Sequence, residues 1–187
     1  MEISPTFSSI LVDLRPLTSD DLPTIGAYLN HPELTGRRYI PWGFPNEVPL
    51  SPTQIEGILS KWGEKEKGFV LGIVDQEKGA LIGHVETSWG WDPHNPDLSI
   101  VIAPPHQRQG LGSEALRLVL TFLFEHTSAH NIAGGFPDWA ESARQFSAKH
   151  GFKESGAIHR DGIRNGDYFD TVIVDILRPE WKAMQGG

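Results

Sequence analysis

PPHQRQGLGSEAL, residues 104–116, places two prolines, three long polar side chains and two glycines directly before an apolar stripe of helical spacing. The stripe is formed by Leu111, Ala115, Leu118, Val119, Phe122 and Leu123, and it predicts a helix over Leu111 to His126. The residues before it, DLSIVIA (97–103), read as a strand. Gly110 and Gly112 therefore mark a strand-to-helix corner. There the first-turn N–H groups and the helix dipole favour an anion, and glycine lets a phosphate approach the backbone. The same pair would equally shape a tight turn. Its spacing is neither that of a P-loop, G-x-x-x-x-G-K-[ST], nor that of the dinucleotide fingerprint G-x-G-x-x-G.

Working outward from the corner, ILVDLR (10–15) alternates as a strand, and Thr18 or Ser19 before DDLPTIGAYL reads as a capped helix start. Between Asn30 and Pro52 five prolines stand among Gly, Asn and the aromatic residues Tyr39, Trp42 and Phe44, which predicts an ordered loop. After SPT (51–53), Ile55, Ile58, Leu59 and Trp62 recur at helical spacing. FVLGIVD (69–75) and ALIGHVETSW (80–89) flank the turn-like QEKG as a hairpin. Beyond the strong helix come a strand at 131–136, a helix from Glu141 to Lys149 stopped by Gly151, and strands at 152–160 and 171–177. The order β α α β β β α β α β β predicts a mixed α/β fold, a mostly antiparallel sheet carrying helices.

The whole chain has 187 residues, within the range of one domain. Sixteen basic against 24 acidic residues give a formal charge of −8, which repels a phosphate backbone and argues against nucleic acid as a partner. With no cysteine there is no disulfide, thiolate metal site or thiol nucleophile, and the expected compartment is the cytoplasm. No apolar run approaches the roughly 18 residues of a membrane span, so no membrane partner is expected. Asp92, His94 and Asn95 supply too few ligands in a proline-bound loop, and no metal is expected.

Gln107, Gly110 and Gly112 spell Q-x-x-G-x-G, which resembles the acetyl-CoA-binding motif of the GNAT N-acetyltransferase superfamily. LRPLTSDDL (14–22) is similar to the opening strand and helix of that family, and KHGFKESG (149–156) to its second motif. HPELTGRRYIPWG (31–43) and NGDYFDTVIVDILRPEW (165–181) resemble the branch that includes ribosomal-protein-alanine N-acetyltransferases. The resemblance implies a single N-acetyltransferase domain over 1–187, with its core at about 10–181, that takes acetyl-CoA as co-substrate. It also implies that the cofactor pyrophosphate rests on the turn formed by Gln107, Arg108, Gln109, Gly110, Leu111, Gly112 and Ser113. The pantetheine arm would then run along Ile100, Val101 and Ile102. The acceptor implied is an amine-bearing small molecule or a protein N-terminus, and a monomer or homodimer is expected.

In that reaction a neutral amine attacks the thioester. A lysine-type amine, pKa about 10.4, gives up roughly 3.4 units at pH 7, some 4 to 5 kcal/mol, whereas an α-amine near 7.8 needs only about 1 kcal/mol. Glu86, on strand 80–89, and Asp97, which opens the next strand, are the candidate general bases. His84 shares a strand face with Glu86. Ser147 stands where many relatives carry a tyrosine general acid, while a thiol of pKa near 8.5 can leave unaided. The missing acid suits a weakly basic or α-amine acceptor. Trp42 and Trp89 are the candidate acceptor-lining residues, with Trp91 beside them. The competing function is an acyl-CoA-binding or regulatory domain without transfer.

Overall fold

The computed structural model describes residues 4–34 and 49–186. Its elements are β1 (Phe7–Ser8), β2 (Val12–Arg15), α1 (Leu22–Leu29), α2 (Pro52–Gly63), β3 (Gly68–Asp75), β4 (Ala80–Trp89) and β5 (Pro96–Ile102). These are followed by α3 (Leu111–His126), β6 (Asn131–Pro137), α4 (Glu141–Lys149), β7 (Lys153–Arg164), β8 (Asp167–Leu177) and α5 (Arg178–Gln185). Short 3-10 turns precede α1 and follow β5, at Ser19–Asp21 and Pro104–His106. The fold is mixed α/β, as the element order predicts.

By internal contacts the chain falls into two compact units, Met1–Ser88 with Ile100–Phe122 and Trp89–Ser99 with Leu123–Gly187. In the first unit the strands run in the order β1-β2-β3-β4-β5, and in the second β5-β6-β8-β7. Of the strand pairs with a recorded register, β5 with β6 is parallel, matched at Asp97 and Ala133, and the rest are antiparallel.

In the first unit the core lies where α1 and α2 pack with β5. Ile25, Tyr28, Leu29, Ile55, Ile58 and Trp62 bury against Val101 and Ala103. Each such aliphatic side chain, fully withdrawn from water, is worth about 1.5 to 3 kcal/mol. The Ser51 hydroxyl caps α2 by accepting from the Gln54 amide, and the Gln54 side chain answers on the Ser51 amide, a reciprocal box with Pro52 at the first turn. In the second unit Phe136, Ala140, Val172 and Val174 form a separate apolar cluster. On α3 the predicted stripe is wider than expected, since Leu116, Leu120 and Phe124 are buried as well.

Three boundaries differ from the sequence reading. ILVDLR is a turn followed by a strand: the Ser9 hydroxyl takes the amides of Leu11 and Val12, leaving Ile10 89% exposed at the tip, and β1 and β2 close antiparallel around it. The last two strands are longer than expected and form one hairpin through Asn165 and Gly166, both at positive φ. RPEW, for which the sequence predicts no helix, opens the helix α5 and buries Trp181. Among the described residues no helix is long and apolar enough to cross a membrane.

Candidate functional site

At the strand-to-helix corner the polypeptide turns through two left-handed residues, Arg108 at φ 60° and Gly110 at φ 83°. The turn is clamped from within, because Gln107 Nε2 donates to the Ile102 carbonyl at 2.8 Å and Gln109 Nε2 to the Pro105 carbonyl at 3.0 Å. The carbonyl of Gly110 accepts the first helical bond of α3, from the Glu114 amide at 3.0 Å. The amides of Leu111 and Gly112 thus belong to the first turn, whose N–H groups have no partner within the helix. A Cβ built on Gly110 would meet no atom within 4 Å. The corner therefore offers first-turn amides, a positive dipole end, open space and the exposed guanidinium of Arg108 beside it. Such a corner fits a diphosphate.

Leading into the corner, β5 is bonded to β4 on one edge. The Ala103 amide donates to the Ile82 carbonyl at 2.8 Å, and a Cβ on Gly83 would collide with the carbonyl oxygen of Val101. Backbone groups alternate along a strand, so those of Ile100 and the amide of Ile102 face away from β4. The Val101 side chain is buried in the core, which fixes the strand in rotation.

The partners also set the level of Glu86. Counting back from the Ala103–Ile82 bond along the antiparallel pair sets Val85 opposite Ile100, and Glu86 is the next residue of β4. Its carboxylate is only 5% exposed, and Oε1 pairs with the Lys65 ammonium from the segment after α2. Glu86 Oε2 is buried without a hydrogen-bond partner among the described residues.

Two residues earlier on the same face lies His84. It is fully buried, with Nδ1 2.9 Å from the Tyr28 hydroxyl and its ring 4.6 Å from that of Trp62. Burial pushes its pKa down to about 3, so the ring is neutral at physiological pH. The Tyr28 phenol is pushed up, chiefly by burial and further by the charge of Asp21. His84 Nε2, like Glu86 Oε2, has no hydrogen-bond partner among the described residues. One face of β4 thus carries two buried polar atoms whose hydrogen-bonding capacity is unused.

The remaining expected residues divide. Asp97 is exposed near the start of β5 and belongs to the second compact unit, whereas Glu86 belongs to the first. Trp89, the last residue of β4, is half-buried; Trp91 is 94% exposed; Trp42 lies outside the described residues. The Ser147 hydroxyl donates to the Arg144 carbonyl inside α4, and Tyr168 is exposed beneath the Arg160 guanidinium. The sequence reading missed Lys65, Tyr28 and Trp62 as site residues. Tyr28 and Trp62 are indistinguishable in pattern from ordinary apolar positions of α1 and α2, and what singles them out is contact with His84, a hydrogen bond for Tyr28 and a ring contact for Trp62.

Residues 12–153 match the family described as acetyltransferase (GNAT) domain. The uncharacterized N-acetyltransferase YoaA of Bacillus subtilis is 25% identical over 169 residues, covering 89% of this chain and 93% of that protein. Among solved structures, a GCN5-related N-acetyltransferase from Brucella melitensis superposes with a TM-score of 0.79 at 19% identity, over 99% of this chain and 82% of the other. Spermidine N-acetyltransferase from Vibrio cholerae, solved with CoA and spermine, gives 0.78 at 23% identity, over 93% and 99%. Corner, strand edge and family match agree, and the chain belongs to the GNAT family of acetyl-CoA-dependent acyltransferases.

Proposed function

We propose that this enzyme transfers the acetyl group of acetyl-CoA to a primary amine, a protein N-terminal α-amine or a small amine, within a single N-acetyltransferase domain. The amides from Arg108 to Ser113 hold the pyrophosphate, and the outward edge of Ile100 and Ile102 takes the pantetheine arm as a neighbouring strand would be taken. The observation that carries this reading is the place of Glu86: an arm laid along β5 from the corner passes Ile102 and then Ile100, which lies opposite Val85, and the buried carboxylate is on the next residue of β4. Glu86 Oε2 accepts the amine proton as the nitrogen attacks the thioester carbon; the C–N bond forms, the C–S bond breaks and the thiolate departs. His84, neutral and buried, orders the acceptor or a water through Nε2. Trp42 and Trp89 stay the acceptor-lining candidates of the sequence reading, and Asp97 its second candidate base.

The likeness of residues 31–43 and 165–181 to the ribosomal-protein-alanine branch supports an α-amine acceptor. Acidic charge and the lack of cysteine support a cytoplasmic setting, as monomer or homodimer. Thiol release from acetyl-CoA over a panel of amines is the test. Expected is turnover that falls about 100-fold in kcat for Glu86→Gln, within the usual range for losing a general base. Coenzyme A binding with no turnover of any amine would instead favour an acyl-CoA-binding domain.

A further inference from the structure

The carboxylate beside which the acceptor is placed is not bare. Lys65 Nζ occupies Glu86 Oε1, with the lysine side chain 16% and the glutamate side chain 5% exposed. The next polar side chain on that face, His84, is neutral, and Tyr28 beside it is uncharged. Asp21, whose charge is felt at Tyr28, is itself closed by Arg15 through two bonds of 2.9 and 2.8 Å. Among the described residues the seat therefore holds one matched pair and no net charge, yet keeps Glu86 Oε2 and His84 Nε2 as unused hydrogen-bonding atoms.

An ammonium ion entering such a seat leaves its hydration shell to meet a carboxylate already neutralised, so burial costs more than the remaining attraction returns. A neutral amine has no such penalty and finds both unused atoms. We infer that Lys65 is the specificity-determining residue of the acceptor site: by holding Glu86 it admits weakly basic amines that arrive uncharged and turns away alkylamines that arrive as ammonium ions. The inference rests on the reading that Glu86 faces the acceptor. Lys65 acts through Glu86 and takes no part in the bond changes.

Taking Lys65 away reverses the preference, since a buried carboxylate without its partner favours whichever cation can reach it. The test compares kcat/KM for an α-amine dipeptide and for n-butylamine in the wild type, Lys65→Met and Lys65→Arg. Expected is a rise of at least tenfold in the butylamine-to-dipeptide ratio for Lys65→Met, and a ratio within twofold of wild type for Lys65→Arg, which keeps the charge. An unchanged or lowered ratio in Lys65→Met overturns the inference. Lys65→Gln, which removes the charge but retains a donor for Glu86, serves the same comparison if the methionine variant does not fold. A binding readout is independent of turnover: butylammonium chloride should raise the melting temperature of the uncharged variant and leave the wild type unmoved at equal ionic strength. Equal shifts in both contradict the inference even if no amine is acetylated, an outcome that would count separately against the transferase reading.

Discussion

The His84 imidazole is enclosed by Tyr28 and Trp62, and its pKa of about 3 in the folded chain lies well below the 6.5 of an exposed histidine. Between those values the unfolded chain binds the proton and the folded chain does not, so stability rises with pH through that window and is lost on acidification from 6.5 downward. Two units below 6.5 the loss amounts to about 3 kcal/mol from this residue alone. Urea unfolding at pH 7 and pH 4.5 checks it: wild type should lose about 3 kcal/mol more than His84→Gln over that interval, and equal losses would show that the ring is protonated in place. Glu86 and His84 were legible in the sequence, because period-2 alternation puts them on one face. Their partners were not. Tyr28 is 56 residues from His84 and Lys65 is 21 residues from Glu86, separations that no local periodicity encodes.

At the scale of elements, the pairing of β4 with β5 sets both which backbone groups of Ile100 and Ile102 face away from β4 and the position of Glu86. Gly83 permits that pairing, since a methyl group there would strike the Val101 carbonyl and crowd the Ile102 backbone. Gly83→Ala should therefore destabilise by about 2 kcal/mol or more, the range of overpacking, and weaken coenzyme A binding in the same variant. A stable variant with unaltered binding would mean that β5 shifts freely. At the start of α2, Ser51→Ala removes the cap and should cost about 1 kcal/mol in thermal or urea unfolding without changing coenzyme A affinity. Helices α2, α3 and α4 were readable from their stripes and stops. The opening run ILV misled because its apolar residues suggested a strand, while the Ser9 hydroxyl recruits two amides into a turn. Helix α5 gave little pattern beyond its early proline, and what settles it is the burial of Trp181 against Phe124.

On the scale of the molecule, the residues assigned to coenzyme A and the Glu86, Lys65 and His84 cluster all fall within one compact unit, although they come from three separate stretches of sequence. That unit places the corner on a chain of net charge −8, so the diphosphate grip we propose is local, made by amides and Arg108 rather than by the field of the whole protein. The corner was legible from glycine spacing. The electrical balance of the acceptor seat was not, because it depends on which charges the fold brings together. Calorimetric titration of coenzyme A into the wild type and into Gly110→Val bears on the central claim most directly. Valine is strained at φ 83° and fills the space left open over the corner. Expected is measurable heat with the wild type and at least a tenfold rise in Kd for the variant; absence of binding to the wild type, or equal Kd values for the two, would contradict it.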